Sequence, residues 1–196
     1  MRILTSVLIL TFIFACSNNT PAYIEFGQEL PQAELQKVTL FPPRDKITGK
    51  YDEARGCFSF KFAGNKLPNS RDWDLGYGML QISYDDWFMV GMTSPRKRSV
   101  IKDLGEHSWS DQIKIPVLQP LPELKEGEQR IISVDSSADT HKEWAQRTAT
   151  FAKVIAGHIY LMRVKDDETD LYAMFRVDEL KQGDHCTISW KIVQPR

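Results

Sequence analysis

The feature that most constrains this chain is a pair of strand-forming runs near its C-terminus. Ile159-Tyr160-Leu161-Met162-Arg163-Val164 and Leu171-Tyr172-Ala173-Met174-Phe175-Arg176-Val177 are separated by a polar turn at residues 165–170. β-Branched and aromatic side chains fit a pleated surface, and two such runs joined by a short polar turn read as an antiparallel hairpin. A third run, Cys186-Thr187-Ile188-Ser189-Trp190-Lys191-Ile192, follows through Lys181-Gln182-Gly183-Asp184 and alternates apolar and polar residues, the period of a half-buried strand. Three consecutive antiparallel strands make a meander. The expected fold class is therefore mainly β, an antiparallel β-sandwich or open barrel carrying one short helix or none.

Strand signals recur upstream. Cys57-Phe58-Ser59-Phe60-Lys61-Phe62 alternates, residues 73–84 form a longer candidate with Gly76 and Gly78 as bulge positions, and Trp87-Phe88-Met89-Val90-Gly91-Met92 follows the turn at Asp85-Asp86. Residues 108–122 carry Pro116, Pro120 and Pro122, which exclude a central strand and favour an extended crossing segment. Residues 129–134 read as a further short strand. Residues 140–157 are ambiguous. Thr140-His141-Lys142-Glu143 has the form of a capping box with Trp144, Ala145, Phe151, Ala152 and Ile155 on one helical face, yet Thr148, Thr150 and Val154 suit a strand. A short helix followed by extended chain is expected.

At the other terminus, Arg2, an apolar run from Ile3 to Phe14, and Ile13-Phe14-Ala15-Cys16 follow in order. A positive n-region, a short apolar h-region and a small residue before the cut mark an export signal. The run is shorter than the roughly 20 apolar residues that a membrane-spanning helix needs. The tetrapeptide resembles the lipobox of bacterial lipoproteins. That resemblance implies cleavage after residue 15 and a diacylglycerol on Cys16, with an acylated amine, enough chains for stable anchoring. Ser17 behind the cysteine implies, in a two-membrane bacterium, the outer membrane, facing the periplasm or the cell surface. Residues 16–43 read as a lipidated tether containing a short helical turn near residues 29–38, and residues 44–196 as one β-rich domain.

The mature chain would carry 24 Lys and Arg against 26 Asp and Glu, because the cut removes Arg2. Nucleic acid needs a concentrated basic field, and the charges here are interspersed, so no nucleic-acid partner is expected. The one basic cluster, Arg96-Lys97-Arg98, reads as a solvated turn, as do the acidic pairs Asp85-Asp86 and Asp166-Asp167. With Cys16 carrying lipid, Cys57 and Cys186 are left, and two thiols in an oxidising compartment are expected to pair. That bridge would tie the first strand to the last and remove denatured-state entropy worth about 4 to 5 kcal/mol. A metal site combining both cysteines with His185 lacks the CxxC spacing that such sites favour.

Asp72-Trp73-Asp74-Leu75-Gly76-Tyr77 is similar to the Trp-Asp-aliphatic-Ala-Phe segment of HmuY-like lipoproteins, an all-β family of surface haem carriers, and the terminal hairpin and last strand look like that family's closing elements. Gly76 and Tyr77 stand where the family has Ala and Phe, and its pair of axial histidines has no matching positions here. The resemblance implies a β fold on a lipid tether; no cofactor is predicted from the residues, and haem is the one cofactor that the resemblance raises. Imidazole suits haem iron and zinc alike. Of His107, His141, His158 and His185, His158 at the mouth of the terminal hairpin and His141 in a turn are the candidate ligands.

No Gly-x-Ser-x-Gly elbow, His-Glu-x-x-His helix, Ser-x-x-Lys pair or phosphate-cradling glycine loop occurs. No catalytic residue is assigned, although a hydrolase that assembles its groups from distant loops would leave no such motif. The leading expectation is a non-enzymatic binding or assembly module that presents a sheet edge or an aromatic patch to another envelope protein. A carrier for haem or a similar small ligand is the alternative, and a hydrolase the second. Trp73, Tyr77, Trp87, Phe88 and Trp109 are candidate contacts, since aromatic residues dominate interface hot spots, with core packing as the plain alternative. Cys16→Ser is expected to abolish lipid attachment and move the protein to the soluble fraction on membrane fractionation; unchanged membrane retention would contradict the lipobox reading.

Overall fold

Two antiparallel sheets carry the chain in a computed structural model that describes residues 34–64, 73–79, 86–91, 96–125 and 149–195. In chain order the strands are β1 (Gln36–Leu40), β2 (Cys57–Phe58), β3 (Leu75–Tyr77), β4 (Trp87–Val90), β5 (Val100–Glu106), β6 (Phe151–Lys153), β7 (His158–Lys165), β8 (Asp170–Lys181) and β9 (His185–Val193). The larger sheet has the order β1-β9-β8-β7-β5 and the smaller β2-β3-β4-β6. The sheets are not closed into a barrel, so the open, sandwich-like arm of the expected fold class holds. The terminal meander is the spine of the larger sheet, with β7 and β8 in register from Ile159↔Arg176 to Lys165↔Asp170.

Strand periodicity sorts the side chains by face. Tyr160, Met162 and Val164 of β7, Ala173, Phe175 and Val177 of β8, and Cys186, Ile188 and Trp190 of β9 point into one core with Phe58, Phe60, Leu75, Tyr77, Phe88 and Val90 from the smaller sheet's side. The alternate residues Ile159, Leu161, Tyr172 and Met174 form a second cluster on the outer face of the larger sheet, covered by Trp109, Ile113, Ile115 and Leu118. This explains why β7 reads as a nearly continuous apolar run: it is buried on both faces. The cover is the proline-bearing segment, which runs without strand pairing, as its prolines require. Two interactions pin it: Arg163 donates to the Leu118 carbonyl at 2.8 Å, and the Leu118 amide donates to the Tyr172 hydroxyl at 3.1 Å.

Several sequence expectations need correction. The helical turn placed at residues 29–38 gives way, from Gln36 on, to β1, which pairs with β9 from Gln36↔Trp190 to Leu40↔Cys186. Val38 and Leu40 point into the core while Lys37 bridges to Asp178, a period of two that a helix cannot satisfy. The sheet therefore begins upstream of residue 44. The candidate strand at residues 57–62 stops at Phe58, because Ser59 and Gly64 close a tight loop by exchanging backbone hydrogen bonds of 2.9 and 3.1 Å. Strand β3 is confined to Leu75–Tyr77 within described residues 73–79, and the expected hairpin with β4 is present, pairing Leu75↔Val90 through Tyr77↔Phe88. Of the ambiguous stretch, Phe151–Lys153 is strand; residues 140–148, where the helix is expected, and the strand expected at 129–134 lie outside the described residues.

One glycine is fixed by close approach. A Cβ at Gly91 would sit 2.2 Å from the Trp73 carbonyl oxygen, and the Gly91 amide donates to the Asp74 carbonyl at 2.7 Å. The chain after β4 can lie against the start of β3 only without a side chain at this position.

Charged pairs lock the solvent side. Arg163 grips Asp170 with two bonds of 2.8 Å, and Lys165 lies 3.2 Å from the same carboxylate. The Arg163 hydrogen bonds hold the Asp170 carboxyl down at about 2. Backbone and side-chain bonds from Thr48, followed by Arg55, hold Asp45 at about 2 as well. A carboxylate whose folded pKa lies below its unfolded value contributes stability above the unfolded pKa and loses it as pH falls through the folded one. The melting temperature is expected to fall between about pH 4 and pH 2, and the acid-induced drop should be shallower in Asp170→Asn; identical profiles for the two proteins would contradict this assignment.

Candidate functional site

The candidate ligand His158 opens β7 on the same face as Tyr160, its ring 6.5 Å from the tyrosine ring. Its Nδ1 lies 3.0 and 3.1 Å from the two carboxylate oxygens of Asp103. Asp103 is itself positioned by the bulge in β5, where the Gly105 amide donates to its Oδ1 at 2.8 Å. A carboxylate on one ring nitrogen fixes the imidazole's orientation and leaves the other for a ligand. Nε2 has no hydrogen-bond partner among the described residues, and the side chain is 22 % exposed. His141 lies outside the described residues. His107 is held by Asp111 at 3.3 Å, and His185 lies between Asp184 at 3.2 Å and Glu179 at 3.5 Å. Among the described residues no group of three or more His, Cys, Asp or Glu side chains is placed to hold a metal ion.

The aromatic contact candidates do not form a patch. Trp73, Tyr77 and Phe88 are buried, and Tyr77 and Phe88 belong to the core between the sheets. Trp109 is part-buried under its own segment, donating from Nε1 to Ser189 Oγ at 2.8 Å with Lys191 4.9 Å above its ring. Trp87 is half-buried on β4. Core packing therefore accounts for three of the five, and an aromatic docking patch built from these residues is set aside.

The expected Cys57–Cys186 bridge is also corrected. Both are free, buried thiols. Cys186 points into the core between the sheets, whereas Cys57 precedes core residue Phe58 on β2 and so faces the opposite side of the smaller sheet. Burial, reinforced by the Glu53 charge, pushes the Cys57 thiol up to about 12, and burial pushes Cys186 further up. Neither is poised as a nucleophile, since the thiolate is the reactive form.

Sequence reading missed two buried carboxylates. Asp74, taken as part of a strand, is 4 % exposed; its Oδ2 accepts from Ser59 Oγ at 2.7 Å and from the Phe60 amide at 2.9 Å. Burial raises its pKa, opposed by the Ser59 hydrogen bond and the Lys97 charge. Lys97, expected in a solvated turn, is buried, its ammonium 2.6 Å from the Trp73 carbonyl and 3.9 Å from Asp74 Oδ1. The basic cluster is thus split: Arg98 turns to Glu123 and Arg96 to Asp167. Asp86, also expected in solvent, is buried. It accepts hydrogen bonds from the Tyr77 hydroxyl and, at 2.8 Å, from the Gly183 amide, joining the smaller sheet to the β8–β9 turn, where Gly183 has φ +64°. Burial and the Asp86 hydrogen bond keep the Tyr77 phenol protonated. The one signal in the sequence was placement: each aspartate directly precedes a run with large apolar residues, Leu75-Gly76-Tyr77 and Trp87-Phe88-Met89-Val90. These groups close the ends of the sandwich, and each is saturated by its partners.

The larger sheet offers a different kind of site. β1 stands at its margin, bonded to β9 on one side and, among the described residues, to no strand on the other. Its residues run from exposed at Gln36 to buried at Leu40. Such an edge presents unpaired backbone donors and acceptors to any extended chain.

Comparison of the sequence with protein-family models and curated proteins, and of the fold with solved structures, gives no match.

In protein carrying Cys16→Ser, a thiol reagent is expected to find Cys57 and Cys186 unreactive in the native state and both reactive after denaturation without reductant. Absence of thiols in the denatured, unreduced protein would restore the disulfide.

Proposed function

We propose that this chain is a lipid-anchored binding or assembly module of the bacterial cell envelope, without catalysis of its own, which takes an extended segment of another envelope protein along the open edge of β1. The observation that carries this reading is the terminal position of β1 in the five-stranded sheet. The lipobox-like Ile13-Phe14-Ala15-Cys16 supports the membrane address, and Ser17 the outer membrane. Main-chain hydrogen bonds would supply affinity, and the side chains flanking Lys37 and Thr39 would set register.

A second reading has its own support. The Asp103–His158 pair holds an imidazole with Nε2 free among the described residues, the arrangement typical of a ligating histidine. A carrier for haem or a similar ligand would use His158 as one axial group. Titration with haem would then produce an absorbance shift that His158→Ala removes.

The two readings separate in cells. A photo-crosslinking amino acid at exposed Gln36 should give one dominant adduct with an envelope protein that also co-purifies near-stoichiometrically with the natively lipidated protein, while the same probe at Val117, 58 % exposed on the far cover of the sheet, gives none. No adduct at position 36 would contradict the edge-binding reading.

A further inference from the structure

Between β1 and the short 3-10 turn Glu53–Arg55 the chain makes an excursion at residues 44–51, closed by a bridge between Arg44 and Tyr51. Asp45 organises it. Its Oδ1 accepts the Ile47 and Thr48 amides at 3.0 and 2.8 Å, its carbonyl accepts the Gly49 amide at 2.8 Å, and its own amide donates to the Lys50 carbonyl at 2.9 Å. Oδ2 takes the Arg55 guanidinium at 2.7 Å, which neutralises the loop's one negative charge. The product of this bonding is a fixed loop with Ile47 at its tip, 96 % exposed, more than any other large hydrophobic side chain described. Beside it, Tyr51 is 52 % exposed.

A single exposed aliphatic residue on a mobile loop needs no explanation. Here an internally bonded loop holds one out, and cations surround it. Arg44, Lys46 and Lys50 all lie at the surface. The Lys46 ammonium lies beside the β8–β9 turn, where a Cβ on Gly183 would meet it at 2.7 Å. An apolar tip, an amphipathic tyrosine and a collar of cations whose stems can lie along hydrocarbon while their heads stay in water match the interface of an anionic bilayer. They match a protein pocket less well, since interface cores exclude lysine.

We propose that loop 44–51 docks on the anionic phospholipid surface to which the chain is tethered, with Ile47 entering the headgroup layer and Arg44, Lys46 and Lys50 meeting phosphates. This rests on the lipid-anchor reading for its occupant. Residues 17–35 between the proposed lipid and β1 reach roughly 60 Å when extended, ample for the loop to find the same leaflet. Docking would then convert a free tether into a defined orientation, with the chain held close at high effective concentration.

The test uses the full chain with Cys16→Ser, so its outcome is independent of lipidation. Ile47→Cys adds an accessible thiol, the other two being buried, and is labelled with a polarity-sensitive fluorophore. Vesicles of phosphatidylglycerol and phosphatidylethanolamine at millimolar lipid should give a blue shift and brightening, and phosphatidylcholine vesicles should not. In sedimentation with the anionic vesicles, unlabelled Ile47→Asp should partition about tenfold less than the parent, and Lys46→Glu with Lys50→Glu should also lower binding, both with unchanged melting temperature. No spectral change on anionic vesicles, or equal binding by Ile47→Asp, overturns the proposal whether or not Cys16 is lipidated; loss of membrane anchoring alone leaves it standing and overturns the lipobox.

Discussion

The structure depends on an aromatic layer that sets the spacing of its two sheets. Tyr160 and Phe175, cross-strand neighbours on β7 and β8, stack at 5.3 Å and 16°. Phe88 from the smaller sheet meets both edge-on, at 5.3 and 5.2 Å. Phe60 stacks on Phe175 at 5.7 Å, and Phe58 and Phe60 both approach Trp190 edge-on at 5.4 Å. Each such contact is worth about 0.5–1.5 kcal/mol beyond simple burial, and their geometry is directional. The smaller sheet has short strands of two to four residues, too few backbone bonds to stand alone. Its position follows from the rings it sets against β7, β8 and β9.

Buried carboxylates finish what the rings begin. Asp74 gathers the loop after β2, and Asp86 ties β4 to the β8–β9 turn through Tyr77 and Gly183. A buried charge is weak support for stability as a pair and costly when one partner is removed. Their effect is to specify which ends of the two sheets meet. The free thiols are consistent with this division of labour: Cys57 and Cys186 occupy opposite faces of the packing, so cross-linking is left to aromatic contacts and hydrogen bonds.

The sequence was legible where strand-forming residues run long between polar turns. Residues 159–177 announced the hairpin by their β-branched and aromatic content and residues 186–192 the last strand by their period of two, and the prolines at 116, 120 and 122 announced a segment without strand pairing. It was illegible where tertiary partners decide. Lys97 and Asp86 have the local composition of surface turns, and partners remote in sequence, the Trp73 carbonyl for Lys97 and the Tyr77 hydroxyl and Gly183 amide for Asp86, make them interior groups. Gln36–Leu40 reads as tether because its strand identity comes from β9, 150 residues away. Aromatic residues carry no label for core or surface, so Trp73, Tyr77 and Phe88 could be proposed as contacts with equal ease. Of the candidate site, His158 was found from its place at a hairpin mouth, whereas its partner Asp103 depends on a bulge that no local signal marks.

β1 is bonded to β9 on one side and, among the described residues, to no strand on the other. The most direct measurement is amide hydrogen exchange by NMR across Gln36–Leu40 in the soluble Cys16→Ser protein. The account predicts alternation, with amides that face β9 protected and those between them exchanging fast. Uniform protection along the strand would mean that the edge is already occupied within the chain, and would contradict a partner-binding role for it.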